Sequence, residues 1–254
     1  MVSSAWRALT EEIARWSHAG RTAEFWWRDD DTGRSHAALD RLLALSSRTG
    51  VPVELAVVPL DADQDLFAEF GSTVSVLQHG TDHVNRAASG EKKSEFSVSE
   101  APETALARLR RCRERLVKQA GDRFVPVLAP PWNRLPSHLV SRLASAGFAG
   151  LSQFGVRSCD EPAPGIRQVN AHVDIVAWKA GRGFVGEEQA LAAAIRHLAA
   201  RRSGEADPGE ATGWLTHHLL HDGPAWDFLG RLFETTNAIP GVAWRRAEEL
   251  FHVS

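Results

Sequence analysis

Apolar and polar positions alternate between two periods along the chain. Short runs rich in β-branched and aromatic residues occupy 25–28, 51–58, 73–78, 124–128, 148–151, 166–169 and 214–216, with a weaker one at 242–243. Such runs read as strands buried on both faces. Between them apolar residues recur at helical spacing: Ala37, Leu39, Leu42 and Leu43; Leu106, Leu109, Cys112 and Leu116; Leu139, Leu143 and Ala146. Gly50, Gly121, Gly147 and Gly241 stand where helices should end, and Pro102 and Pro136 where two should begin. Strand and helix taking turns predict an α/β fold with a parallel sheet. Seven or eight such units make a (β/α) barrel the leading architecture, with a doubly wound open sheet second. The amphipathic stretch Ser4–His18 reads as a helix added before the first strand. Loops are expected at 87–99, a solvated segment rather than a lid, and at 158–165 and 203–213. No linker divides the chain, so residues 1–254 are expected to form one domain.

Composition narrows the class. The 254 residues are 43% hydrophobic and include nine Trp, enough for a core without covalent staples. Two cysteines form neither a disulfide framework nor a thiolate metal site. With 29 basic against 32 acidic residues there is no nucleic-acid footprint. The run Arg108, Arg110, Arg111, Arg113, Arg115, Lys118 carries apolar residues at helical spacing and reads as the wet face of a shell helix. No segment has the pattern of a signal peptide or a membrane span, and the expected location is the cytoplasm.

In a parallel barrel the reacting groups gather at the C-terminal ends of the strands. Here the first run ends in Asp29-Asp30-Asp31, the third in His79 with His83 four residues on, and the fourth in Ala129-Pro130-Pro131-Trp132-Asn133-Arg134. The sixth is followed by Asn170, His172 and Asp174, and the seventh by His217, His218, His221 and Asp222. His79 and His83 sit one helical turn apart in spacing, and so do His217 and His221. Two imidazoles and a carboxylate with a position left for water suit a catalytic divalent cation. A cation would also relieve the repulsion among three adjacent carboxylates. Other chemistries fit poorly. The stretch Asp29-Asp30-Asp31-Thr32-Gly33 has Gly33 where an aspartyl-phosphate motif needs Thr, and no G-x-S-x-G is present.

At these residues the chain resembles the polysaccharide deacetylase family, the chitin deacetylase-like carbohydrate esterases. Its T-F-D-D motif has a counterpart in Arg28-Asp29-Asp30-Asp31 and its H-S/T-x-x-H in His79-Gly80-Thr81-Asp82-His83. Its R-P-P-Y/F-G is matched by Ala129-Pro130-Pro131-Trp132-Asn133 and its late L-x-H by Leu215-Thr216-His217, in the same order over roughly residues 25–250. The resemblance implies a distorted (β/α)7 barrel and metal-dependent removal of N-acetyl groups. It implies one divalent ion, zinc first with nickel, cobalt or manganese as alternatives, held by Asp31, His79 and His83. Asp30 would be the general base, His217 the general acid, and the backbone N–H of Trp132 an oxyanion donor. Asp29 and Asp30 in place of Asp30 and Asp31 is the competing register, and His221 competes with His217. Three departures stand out: Ala129 replaces the Arg that braces the catalytic Asp, with Arg28 or Arg134 as possible substitutes; Gly80 replaces Ser or Thr; and D-x-x-D-W is reduced to Asp174-Ile175-Val176-Ala177-Trp178. Trp132 and Trp178 are candidates to stack on a sugar ring. The expected substrate is a small N-acylated molecule, a sugar by preference, with no nucleic acid or membrane involved. The alternative is a sugar- or metal-binding barrel without turnover.

Overall fold

The computed structural model describes residues 4–253, so the first three residues and the last of the expected domain lie outside it. In chain order the elements are α1 (Ser4–His18), β1 (Ala23–Thr32), α2 (Ala37–Thr49), β2 (Val53–Val57), β3 (Val74–Gln78), α3 (Pro102–Ala120) and β4 (Phe124–Leu128). Then come α4 (Ser137–Val140), β5 (Gly150–Leu151), β6 (Arg167–Gln168), β7 (Ala171–Asp174), α5 (Glu187–Ser203), β8 (Thr212–Thr216), α6 (Gly223–Asn237), β9 (Val242–Trp244) and α7 (Ala247–Phe251). All strand pairs are parallel, in the order β6-β5-β4-β3-β2-β1-β8-β7, with β9 paired to the start of β1. The sheet curls into a distorted barrel. Strands β6 and β7 are not paired with each other. Instead the chain after β5 reaches β7, with Ala171 N–H donating to Gln153 O at 2.9 Å and Gly155 N–H to Ala171 O at 2.8 Å. The (β/α)7 barrel is therefore the right architecture and the open sheet is not.

Strand β1 is the spine, because its period-two alternation separates the two cores. Phe25 and Trp27 face outward into the layer between sheet and helices, where they meet Trp214, Phe233 and Trp244. Trp26 faces inward among Leu77, Val127 and Val169, over a floor closed by α7, whose Phe251 meets the Trp26 ring edge-on at 6.1 Å. Gly213 is required here. A Cβ on it would lie 2.4 Å from Trp26 Nε1 and 2.5 Å from Asn170 O, the two atoms joined by the Trp26 indole hydrogen bond. At the floor the buried Glu54 accepts the Ala247 N–H that opens α7, and burial pushes its carboxyl up to about 8.

Helix α3 carries the basic run on its outer side while Leu106, Leu109, Cys112 and Leu116 are buried, as its spacing predicts. Two readings change. Leu139, Leu143 and Ala146 fall on α4 and a separate 3-10 turn (Leu143–Ala146), since the chain turns between them. His172 and Asp174 lie within a strand, β7, rather than after one.

Where α5 packs on β7 the rings of His197 and His172 stack with centroids 3.5 Å apart, beside buried Glu210. Burial holds His197 down at about 2. An unfolded chain takes up a proton there below pH 6.5 that the folded chain refuses, so stability falls as pH falls from about 6.5. By pH 5 this one residue accounts for about 2 kcal/mol. His197→Leu is expected to lose less stability between pH 7.5 and 5.0 than the parent in urea unfolding. Equal losses would refute this account.

Candidate metal-dependent active site

The three consecutive aspartates of β1 point in three directions. Asp30 shares the inward parity of Trp26 and Arg28. Arg28 is fully buried and Asp30 nearly so. Arg28 Nε and Nη2 lie 2.8 and 3.1 Å from Asp30 Oδ1 and Oδ2. The Nε–H is misaligned, so Asp30 Oδ1 accepts no hydrogen bond. The rest of the guanidinium is held by Ser152 O at 3.1 Å, Ser152 Oγ at 2.7 Å and Asn133 Oδ1 at 2.6 Å. Arg28 thus provides the brace that Ala129 cannot, from two residues away on the same strand. Arg134 is turned elsewhere, donating to Lys93 O at 2.7 Å.

Asp29 has the outward parity and is spent in the shell. Its carboxylate meets His218 Nδ1 at 2.5 Å and accepts from His218 N–H at 3.0 Å and the Thr216 hydroxyl at 2.5 Å. The neighbouring His218 imidazole holds Asp29 below the usual carboxylate range despite its burial. Regular alternation would send Asp31 the same way. Instead β1 bulges between Asp29 and Thr32, and Asp31 adopts φ 66°, a left-handed conformation that swings its side chain back over the barrel mouth.

There Asp31 meets both histidines. Asp31 Oδ1 lies 3.1 Å from His79 Nε2 and 3.2 Å from His83 Nε2. His79 and His83 do not share a helix. Residues 79–83 form an irregular turn with left-handed Gly80 and His83, and the turn itself brings the two rings within 5.3 Å. His79 Nδ1 sits 2.8 Å from Ala129 O, so its N–H donates there and Nε2 keeps its lone pair for the centre. Two ligand atoms each about 2.1 Å from one cation stand about 3.0–3.4 Å apart. The Asp31–His79 and Asp31–His83 spacings match, and buried Asp31 Oδ1 has no hydrogen-bond donor. The donor set fits a divalent cation. His172, His197 and Glu210 are also close enough to suggest a metal group. However, lone pairs in two stacked ring planes 3.5 Å apart cannot meet on one ion, and His172 Nδ1 already accepts the Gly213 N–H.

Across the mouth, His217 packs edge-on against Trp178 at 4.8 Å between centroids, and Trp178 Nε1 donates to Asp174 at 2.7 Å. The two late histidines do not pair. A 3-10 turn (His218–Leu220) intervenes, and His221 lies edge-on to the Trp226 ring at 4.5 Å, with burial lowering it to about 4. Trp132 is left-handed at φ 56°, and its ring leans on His83 at 4.4 Å. Asn133 and Arg134 N–H close that turn onto Pro130 and Pro131, and the Trp132 N–H takes no part in it.

One supporting residue escaped the sequence reading. Segment 87–99 is not simply solvated, because Glu95 and Phe96 are buried. Glu95 accepts from the Thr81 N–H at 2.8 Å and from the Thr81 hydroxyl, pinning the turn between the two histidines. This explains Gly80. A Cβ there would come within 2.0 Å of Glu95 Oε2 and 2.6 Å of Pro131 Cδ. No local sequence signal marks a polar residue fourteen positions away as the partner of Thr81.

No protein-family model matches the chain, and no curated protein matches its sequence. Solved structures do match. A family 4 carbohydrate esterase from Streptomyces lividans, in complex with acetate, aligns at TM-score 0.56 and 14% identity over 88% of this chain and 92% of its own. The Bc1960 peptidoglycan N-acetylglucosamine deacetylase aligns at 0.58 and 16% over 92% and 90%. The peptidoglycan deacetylase PdaC from Bacillus subtilis aligns at 0.55 and 13% over 91% of each chain. The chain has the polysaccharide deacetylase fold.

Two outcomes are expected. Arg28→Ala leaves a buried carboxylate unpaired and should cost about 3–5 kcal/mol in urea unfolding; a cost below about 1 kcal/mol would show that the pair is not the brace described. Gly80→Ser should cost about 1–3 kcal/mol, and Glu95→Ala should relieve part of that cost in the double variant. Strictly additive losses would remove Glu95 as the reason for glycine.

Proposed function

We propose that this chain is a metal-dependent hydrolase that removes an acetyl or related acyl group from the nitrogen of a small N-acylated substrate, a sugar by preference. The supporting observation is the meeting of Asp31, His79 and His83 at one point of the mouth, with an arginine-braced Asp30 in the same barrel. The reading assigns one domain to the whole reaction and Asp31, His79 and His83 to the cation, zinc before nickel, cobalt or manganese. When bound, such an ion supplies a Lewis acid that polarises the amide carbonyl and lowers the pKa of water from 15.7 to about 7.

Each protein group then has one task. Asp30 takes the proton of the attacking water, while the Arg28 guanidinium, 2.8 Å from Asp30 Oδ1, keeps the carboxylate aimed. The water oxygen adds to the acyl carbon, and the Trp132 N–H steadies the oxyanion. As the C–N bond breaks its electron pair stays on nitrogen, and His217 gives that nitrogen a proton so that it leaves as an amine. Trp178 holds the His217 ring, and Asp174 anchors Trp178. The loss of the third-motif arginine would favour an inert barrel, but Arg28 compensates for it.

Metal content separates the roles. His79→Ala is expected to lose the ion in elemental analysis. His217→Ala should keep it and lose roughly 10²- to 10⁴-fold in kcat for acetate release from N-acetylglucosamine. Full metal content in His79→Ala would overturn the ligand set, and undiminished turnover in His217→Ala would overturn the acid.

A further inference from the structure

Beside the metal-ligand cluster a shallow depression of about 400 Å³ opens onto Asp31 and His83. Its walls are Val58 and Leu60, just after β2, and Leu219, just after β8. Leu60 is 56% exposed and Leu219 52%. Two large aliphatic side chains left in water in a depression that opens onto Asp31 and His83 are a poor solvent surface and a good wall for an apolar group.

Two carboxylates of the depression, Asp61 and Asp82, are each paired with an arginine. Asp61 accepts from Arg34 Nε at 3.1 Å and Nη2 at 2.7 Å. Asp82 accepts from Arg86 Nη1 at 2.8 Å and Nη2 at 2.6 Å.

Direction matters equally. Neither His217, Asp174 nor Trp178 lines the depression. The amide nitrogen must stand near His217 to be protonated, and the substituent of the acyl carbon leaves that carbon on the side away from nitrogen. It therefore runs past Asp31 and His83 toward Leu60 and Leu219. An acetyl methyl would leave most of the depression to water.

Resting on the hydrolase reading above, we propose that the acyl group this site removes is larger than acetyl, an apolar chain several carbons long seated between Leu60 and Leu219. The reaction is R–CO–NH–R′ plus water giving R–COOH and R′–NH₂, with R the apolar chain and R′ the sugar or other polar amine.

Three amides test this on the metal-loaded protein, N-acetyl-, N-butyryl- and N-hexanoylglucosamine, with the freed amine measured. Each added methylene is worth up to about fourfold, so the hexanoyl compound is expected to exceed the acetyl compound by at least tenfold in kcat/KM. Leu219→Ser and Leu60→Ser should pull that ratio toward one, and Val117→Ser, on the outside of α3, should leave it unchanged. A second readout needs no turnover: calorimetry on the metal-free protein should give tighter binding of the hexanoyl than the acetyl compound, and Leu219→Ser should abolish the difference. Hydrolysis of all three with acetyl equal or best would overturn the proposal and leave the hydrolase reading standing. No hydrolysis of any of the three by protein shown to carry its ion would overturn the hydrolase reading, and this proposal with it.

Discussion

The arrangement at the barrel mouth depends on one buried ion pair, Arg28 with Asp30. Both side chains are almost wholly out of water, and taking two charges from solvent is expensive unless their remaining valences are met. Arg28 meets them by drawing in Ser152, which follows β5, and Asn133, which follows β4. The pair therefore gathers three parts of the chain at one point. Asp30 Oδ1 lies 2.8 Å from Arg28 Nε but is poorly aligned with its N–H.

The same strand separates the tasks of three identical residues. Alternation sends Asp30 inward and Asp29 outward, and a bulge at Asp31 overrides alternation once. Asp29 forms no part of the Asp31, His79 and His83 cluster, yet it matters to the site. Its bonds to Thr216 and His218 bracket His217, so the end of β8 is tied to β1 on both sides of the residue that faces the mouth. Charge, backbone strain and register act on adjacent residues to give each carboxylate a different environment.

Much of this was legible in the chain. The apolar runs located the strands, apart from β7, whose polar His172 and Asp174 interrupt the apolar pattern because one faces a helix and the other the mouth. Strand-end placement brought the Asp29–Asp31 run, His79 and His83 forward together, although the helical spacing used to relate the two histidines was not the geometry that joins them; a turn with two left-handed residues does that. The Asp29–Asp31 register could not be read, since inward and outward parity are defined only once the sheet is formed. Arg28 was one of two possible braces, and only tertiary contacts separate it from Arg134. Glu95 and the His172–His197 stack were invisible for a related reason: their partners are distant in sequence and follow no periodicity.

Asp30 and its counter-charge stand two residues apart on one strand, so the pleat fixes their spacing rather than a loop. In a barrel that imports this arginine from the turn after β4, that turn serves both charge balance and substrate contact, and remodelling it for one disturbs the other. Here the Pro130-Pro131-Trp132 turn contributes no charge to the pair. A change in that turn reaches the pair through the Asn133 side chain and not through a lost charge.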